Sequence, residues 1–116
     1  MQFLLMVCWD AENMDATPEP GPDEAAEEDS FPWLDDLRAR WIWVTGDRLA
    51  PPRRARSVRV RNGKPIVSDG PFAETKEAVG GFYVVDCASR EEAIKLAGAV
   101  PQSPGVAVEV LPIVDV

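Results

Sequence analysis

Histidine is missing from this 116-residue chain. With it go the commonest proton shuttle at neutral pH and the commonest metal ligand. Cysteine is scarce, with Cys8 and Cys87 the only two. Each sits in an apolar, strand-like run, so both are expected as small core residues rather than as a disulfide. No CxxC pair and no carboxylate cluster of metal-binding spacing occurs, so neither a metal site nor a cofactor is expected. The glycines do not form a GxGxxG or P-loop pattern, which excludes the usual phosphate cradles. No apolar run approaches the roughly 18 residues of a membrane span. The opening "MQFLLMVCW" lacks the basic start and small-residue cleavage site of a leader. It reads as a first strand, and the chain is expected to be cytoplasmic with no membrane partner.

Bases are absent from residues 10–36, which carry eleven acids. Residues 37–64 then carry nine Lys or Arg and one acid, Asp47. The net charge of −8 repels nucleic acid at long range, so direct nucleic-acid binding is not expected. The basic strip can hold an anion, or it can neutralise the acidic segment within or between subunits. The length, with 46% hydrophobic residues, suits a single domain over residues 1–116 with one core.

"QFLLMVCW" is a continuous apolar run of strand length, the pattern of a central strand. Residues 10–29 form an acidic loop with three prolines and a glycine between positions 18 and 22. A helix is expected next, capped by Asp29 or Ser30, with Pro32 in its first turn and Trp33, Leu34 and Leu37 inward. "WIWVTG" follows as a strand. In "SVRVRNGKPIVS", Asn62-Gly63 is the preferred dipeptide of a two-residue hairpin turn. That turn sets Arg61 against Lys64, Val60 against Pro65, Val58 against Val67 and Arg56 against Asp69. Val58, Val60 and Val67 make one face core-like, while Arg59, Arg61 and Lys64 make the other cationic. "GFYVVDCA" is a further strand. Ser89 then caps a helix with Glu92 at the reciprocal position. Its expected buried stripe is Ala93, Ile94, Ala97 and Val100, with Pro101 and Pro104 beyond. "VAVEVLPIV" closes the set, with Pro112 marking a sheet edge or strand end. Without the hairpin the order is βαββαβ, an α+β, ferredoxin-like fold. Such a sheet carries helices on one face only, and a second copy would cover the other.

The stretch "SDGPFAETKEAVGG" has two readings. In one, Asp69-Gly70-Pro71 is a shaped corner whose carboxylate accepts backbone N–H bonds. In the other, Asp69 lies at a pocket mouth as a general base or ligand anchor. Apolar neighbours would raise its pKa, whereas a salt bridge to Arg56 or Arg59 would lower it. Gly80-Gly81 is read as a point of close backbone approach. Trp9, Trp33, Trp41 and Trp43 serve either core and interface packing or the walls of a ligand cavity.

The segment from Leu49-Ala50-Pro51-Pro52 through Asp69-Gly70-Pro71-Phe72, Glu74-Thr75-Lys76-Glu77 and Gly80-Gly81-Phe82-Tyr83, with the final strand, resembles the DGPF-type branch of the YCII-related proteins. The resemblance covers roughly residues 37–114 and the first strand. It implies a dimeric α+β barrel. Most proteins of this branch have no assigned reaction, and they often neighbour extracytoplasmic-function sigma factors. Some YCII relatives are lyases or dehydrochlorinases that use a His-Asp pair. This chain departs from the pattern: Ser30 falls near the usual histidine, and Trp41 stands where a glycine is usual, with Trp43 just after.

Three readings follow. The first is a homodimer that binds a small organic molecule between sheet and helices. Asp69, Gly70, Phe72, Tyr83 and at least one of Trp9, Trp41 and Trp43 would border that pocket, with Arg59 or Arg61 as a countercharge if the hairpin folds over its mouth. The second is a cofactor-independent lyase or isomerase in which Asp69, or Tyr83 as the weaker candidate, moves the proton. The third is an accessory protein associated with a sigma factor.

Overall fold

The structure is a computed structural model, and it describes residues 1–10, 32–70, 77–100 and 106–114. The acidic loop beyond Asp10, the Asp29/Ser30 cap, Phe72, the Glu74–Lys76 run, Pro101 and Pro104 lie outside the described residues, as does the side chain of Glu77.

Strand β1 (Gln2–Asp10), helix α1 (Pro32–Ala39), β2 (Trp43–Arg48), a 3-10 turn (Pro52–Arg54), β3 (Arg56–Arg61), β4 (Lys64–Asp69), β5 (Glu77–Asp86), α2 (Arg90–Gly98) and β6 (Ala107–Pro112) follow in chain order. A four-stranded sheet has the order β2-β5-β1-β6, with every pairing antiparallel. Strands β3 and β4 form a separate two-stranded sheet. The fold is α+β and ferredoxin-like, with a hairpin inserted between β2 and β5.

Alternation along the strands builds the core. Phe3 and Leu5 of β1 and Val85 of β5 are fully buried on the helix face, together with Leu37 of α1 and Ala93, Leu96 and Ala97 of α2. Trp33, Trp43, Tyr83, Val108 and Val110 pack around them. The opposite residues in the registers, Leu4 against Val84 and Met6 against Phe82, are half-buried on the open face. Leu111, paired with Leu4, is exposed there. Pro112 lies in β6, which among the described residues is an edge strand paired with β1. Both cysteines are buried, and no disulfide joins them.

The end of α1 is built around Trp41. Its φ is +58°, in the left-handed region. The Ile42 N–H closes on the Leu37 carbonyl at 3.0 Å and the Trp41 N–H on the Arg38 carbonyl at 3.2 Å. This is a Schellman stop, with buried Leu37 and Ile42 in the apolar positions that accompany it. A glycine normally takes the left-handed place. Here a tryptophan does, 91% exposed. The stop occupies Trp41 and Ile42, so β2 starts at Trp43, two residues later than "WIWVTG" implies.

Two expectations need correction. In α2, Ile94 is exposed and Leu96 is buried. Ala93, Leu96, Ala97 and Val100 follow the i, i+3, i+4, i+7 stripe, and Ile94 is turned off it. The hairpin has the expected register, Arg56 opposite Asp69 through Arg61 opposite Lys64, and Asn62 and Gly63 both have positive φ. Its apolar face is nevertheless not core. Val58, Val60 and Val67 are 53%, 70% and 64% exposed. Among the described residues neither hairpin strand has more than marginal contact with the four-stranded sheet or the helices. The hairpin is therefore an arm.

Candidate functional site

The base of the arm is a compact polar knot. The Gly70 N–H donates to the Ala55 carbonyl at 2.8 Å, and the Ser57 hydroxyl donates to the Gly70 carbonyl at 2.7 Å. Gly70 has φ +79°, where a side chain would be strained. Arg56 Nε meets Asp69 Oδ1 at 3.2 Å, and the Asp69 side chain is 92% exposed. The Arg56 Nη1 group donates to the Ala55 carbonyl at 2.9 Å. Among the described residues the carboxylate is thus held by a guanidinium and open to solvent. The strand pairing that sets Arg56 opposite Asp69 makes the contact, so it follows from Asn62-Gly63.

A second group of candidates forms an aromatic cluster under the helices. Trp33 of α1 meets the Tyr83 ring edge-on, with centroids 4.9 Å apart. Trp43 meets the same ring at 5.9 Å. The Trp33 indole N–H donates to the Leu96 carbonyl at 3.0 Å and so ties α1 to α2. The Arg38 guanidinium stacks over Trp43 at 5.3 Å, a cation–π contact. Gly46, opposite Tyr83 in the register, leaves room for both rings.

The candidates thus divide. Trp43 and Tyr83 are in contact within the four-stranded sheet. Asp69, Gly70, Arg59 and Arg61 belong to the arm and its base. Trp41 is exposed at the end of α1, and Trp9 is half-buried on β1. Two residues not named as borders of the proposed pocket shape these groups: Arg56, which holds Asp69, and Trp33, which completes the cluster. The register signalled Arg56. The inward position of Trp33 on its helix signalled the other.

Gly80-Gly81 is a packing feature. Strand β5 carries one extra residue, Gly80, between Val7↔Gly81 and Cys8↔Val79, which is a β-bulge. The Gly80 carbonyl accepts from the Leu49 N–H at 2.9 Å. A Cβ on Gly81 would come to 3.3 Å from the Asp47 carbonyl oxygen.

Elsewhere, an open depression of about 390 Å³ is lined by Met1, Phe3, Ser89, Arg90, Glu91 and Pro112. Ser89 is already engaged there, accepting from the Glu92 N–H at 3.2 Å, while Glu92 accepts from the Ala88 N–H at 2.9 Å. Among the described residues no group of three or more acidic or cysteine side chains is placed to hold a metal. No described helix is long and apolar enough to cross a membrane.

This is an α+β protein with a ferredoxin-like sheet, one helix-covered face and a projecting arm. The chain belongs to the YCII-related family, whose domain matches residues 1–116. It is also 54% identical over 50 residues to an uncharacterized protein of Rhizobium meliloti (strain 1021). That match covers 43% of this chain and 40% of the relative, so the chain spans less than half of that protein's length.

Proposed function

We propose that this YCII-related protein is a homodimer, closed into an α+β barrel across its open sheet face, that binds a small organic molecule beside Asp69. One observation carries the binding reading: the Asp69 carboxylate is held on one side by Arg56 and otherwise faces solvent. A carboxylate consumed by backbone N–H groups would be only a corner. One held at an angle by a single guanidinium keeps acceptor capacity for a ligand O–H or N–H. Arg59 and Arg61 lie on the opposite face of the arm from Asp69, so Arg56 is the countercharge beside it. Trp43 and Tyr83 belong to the four-stranded sheet, apart from Asp69, and supply an optical signal for the test. Binding is preferred over turnover because the chain has no histidine to share proton transfer with Asp69.

The test is a fluorescence screen of small cyclic acids and phenols on the purified protein. A binder should quench tryptophan emission saturably, and Asp69→Ala should weaken it at least tenfold. A binder whose affinity is the same for Asp69→Ala would overturn the site, as would no binder at all. Saturable turnover that disappears in Asp69→Asn would instead make the protein a lyase or isomerase with a carboxylate base.

A further inference from the structure

We infer that Asn62, at the tip of the β3–β4 arm, is a self-modification site: it loses its side-chain amide to attack by the Gly63 nitrogen, and the isoaspartate that forms undoes the hairpin register. The inference goes beyond ligand binding and does not depend on it.

Asn62 and Gly63 are the whole turn, at φ +53° and +75°, and both are exposed. Beyond the two chain neighbours, nothing lies within 4 Å of the place a Gly63 Cβ would take. The attacking nitrogen is therefore reachable by hydroxide, and glycine adds no side chain to screen it. Among the described residues the Gly63 N–H donates to no backbone carbonyl, so no ladder bond ties it down. The arm makes only marginal contact with the described sheet and helices, so turning the Asn62 backbone toward ring closure displaces no packed side chain.

Charge favours the same step. Residues 48–68 carry seven bases and no acid, and Arg61 and Lys64 stand opposite each other across the turn. Positive neighbours stabilise the deprotonated amide nitrogen and the oxyanion formed when it attacks.

The bonds balance with water as the sole co-reactant. The Gly63 nitrogen gives its proton to hydroxide and bonds to Cγ of Asn62, an attack within one chain that gains from proximity. The Cγ–Nδ2 bond breaks, and Nδ2 leaves as ammonia with a proton taken from water. Hydroxide then opens the cyclic imide at one of its two carbonyls. Breaking the new Cγ–N bond gives aspartate. Breaking the original backbone C–N bond gives isoaspartate, whose chain runs through Cβ and Cγ. Asp-Gly takes the same two-residue turn as Asn-Gly, so aspartate keeps the register. Isoaspartate adds a backbone atom to the turn, which breaks the match of Arg61 to Lys64 and, further down the ladder, of Arg56 to Asp69.

The experiment is incubation of the full chain at mildly alkaline pH, followed by peptide mapping with mass detection. Asn62 should convert at least tenfold faster than Asn13, the other asparagine, which precedes Met14. The double variant Arg61→Gln, Lys64→Gln should convert at least threefold more slowly than the parent. The isoaspartate fraction, separated by ion exchange, should be cut by trypsin after Arg59 at least tenfold faster than the parent, while fresh Asn62→Asp stays within twofold. Conversion at Asn62 no faster than at Asn13 overturns the site. An unchanged rate in the double variant overturns the part given to the cations. Isoaspartate cut at the parent's rate, or conversion to aspartate alone, overturns the loss of register.

Discussion

Gly46 lies directly beneath Tyr83. A Cβ at Gly46 would sit 2.8 Å from Cδ1 of the Tyr83 ring, 2.8 Å from the far edge of Trp43 and 2.6 Å from the Phe82 carbonyl oxygen. The last of these is backbone and cannot swing aside. Gly46→Ala should therefore cost about 1–3 kcal/mol through overpacking. Gly98, in the last turn of α2, has nothing within 4 Å of the place a Cβ would take and is not at positive φ. Gly98→Ala should stabilise by about 0.5–1 kcal/mol. Urea denaturation of the two variants checks the opposite signs.

The left-handed positions make a second pair. Trp41, at φ +58° and 91% exposed, carries backbone strain for little burial. Trp41→Gly should raise stability by about 1 kcal/mol. Gly63, at φ +75°, is the reverse, and Gly63→Val should lower stability by at least about 1 kcal/mol. Melting temperatures that move the same way in both variants would contradict the turn and stop geometry.

Burial pushes the Cys87 thiol above its ordinary value of 9.0, outweighing a backbone hydrogen bond at Ser89 that acts the other way. The folded state therefore holds the thiol proton more tightly than the unfolded state. Its contribution to stability is complete below pH 9.0 and is lost as the pH rises through the higher folded value. Denaturation midpoints should fall more steeply on the alkaline side in the parent than in Cys87→Ser. The latter keeps a donor for the Ser89 carbonyl without a group that titrates there. Aromatic disulfide reagents should also react slowly at about pH 7.5 with Cys87, 7% exposed, until denaturant is added.

The Arg56–Asp69 pair is exposed on both sides, at 58% and 92%. An ion pair of this kind adds little to stability. Asp69→Ala should change the unfolding free energy by less than about 0.5 kcal/mol, with its circular dichroism unchanged. Loss of ligand binding in that variant would then report on the site rather than on unfolding.

Local chemistry alone determined several parts of this protein. Asn62-Gly63 set the hairpin register and thereby placed Arg56 across from Asp69, because a two-residue turn leaves no freedom in pairing. Ser89 and Glu92 set the start of α2, because the cap bonds span only a few residues. The order of apolar runs specified a ferredoxin-like sheet with one covered face. Other features depended on what packs against what. Ile94 and Leu96 are both apolar and nearly adjacent, and only the position of the sheet decides which is buried. Gly80 and Gly81 look alike in sequence, yet the register makes one a bulge residue and the other a passage for the β2 backbone. Tyr83 and Phe82 are neighbours on opposite faces, and the alternation that sends Tyr83 to Trp33 and Trp43 is anchored by strand pairing across the whole sheet. The valines of the arm carry a core-like pattern, but a pattern states only that a face is apolar. What covers that face is decided by long-range contact, and within the described part of a single chain the face remains open.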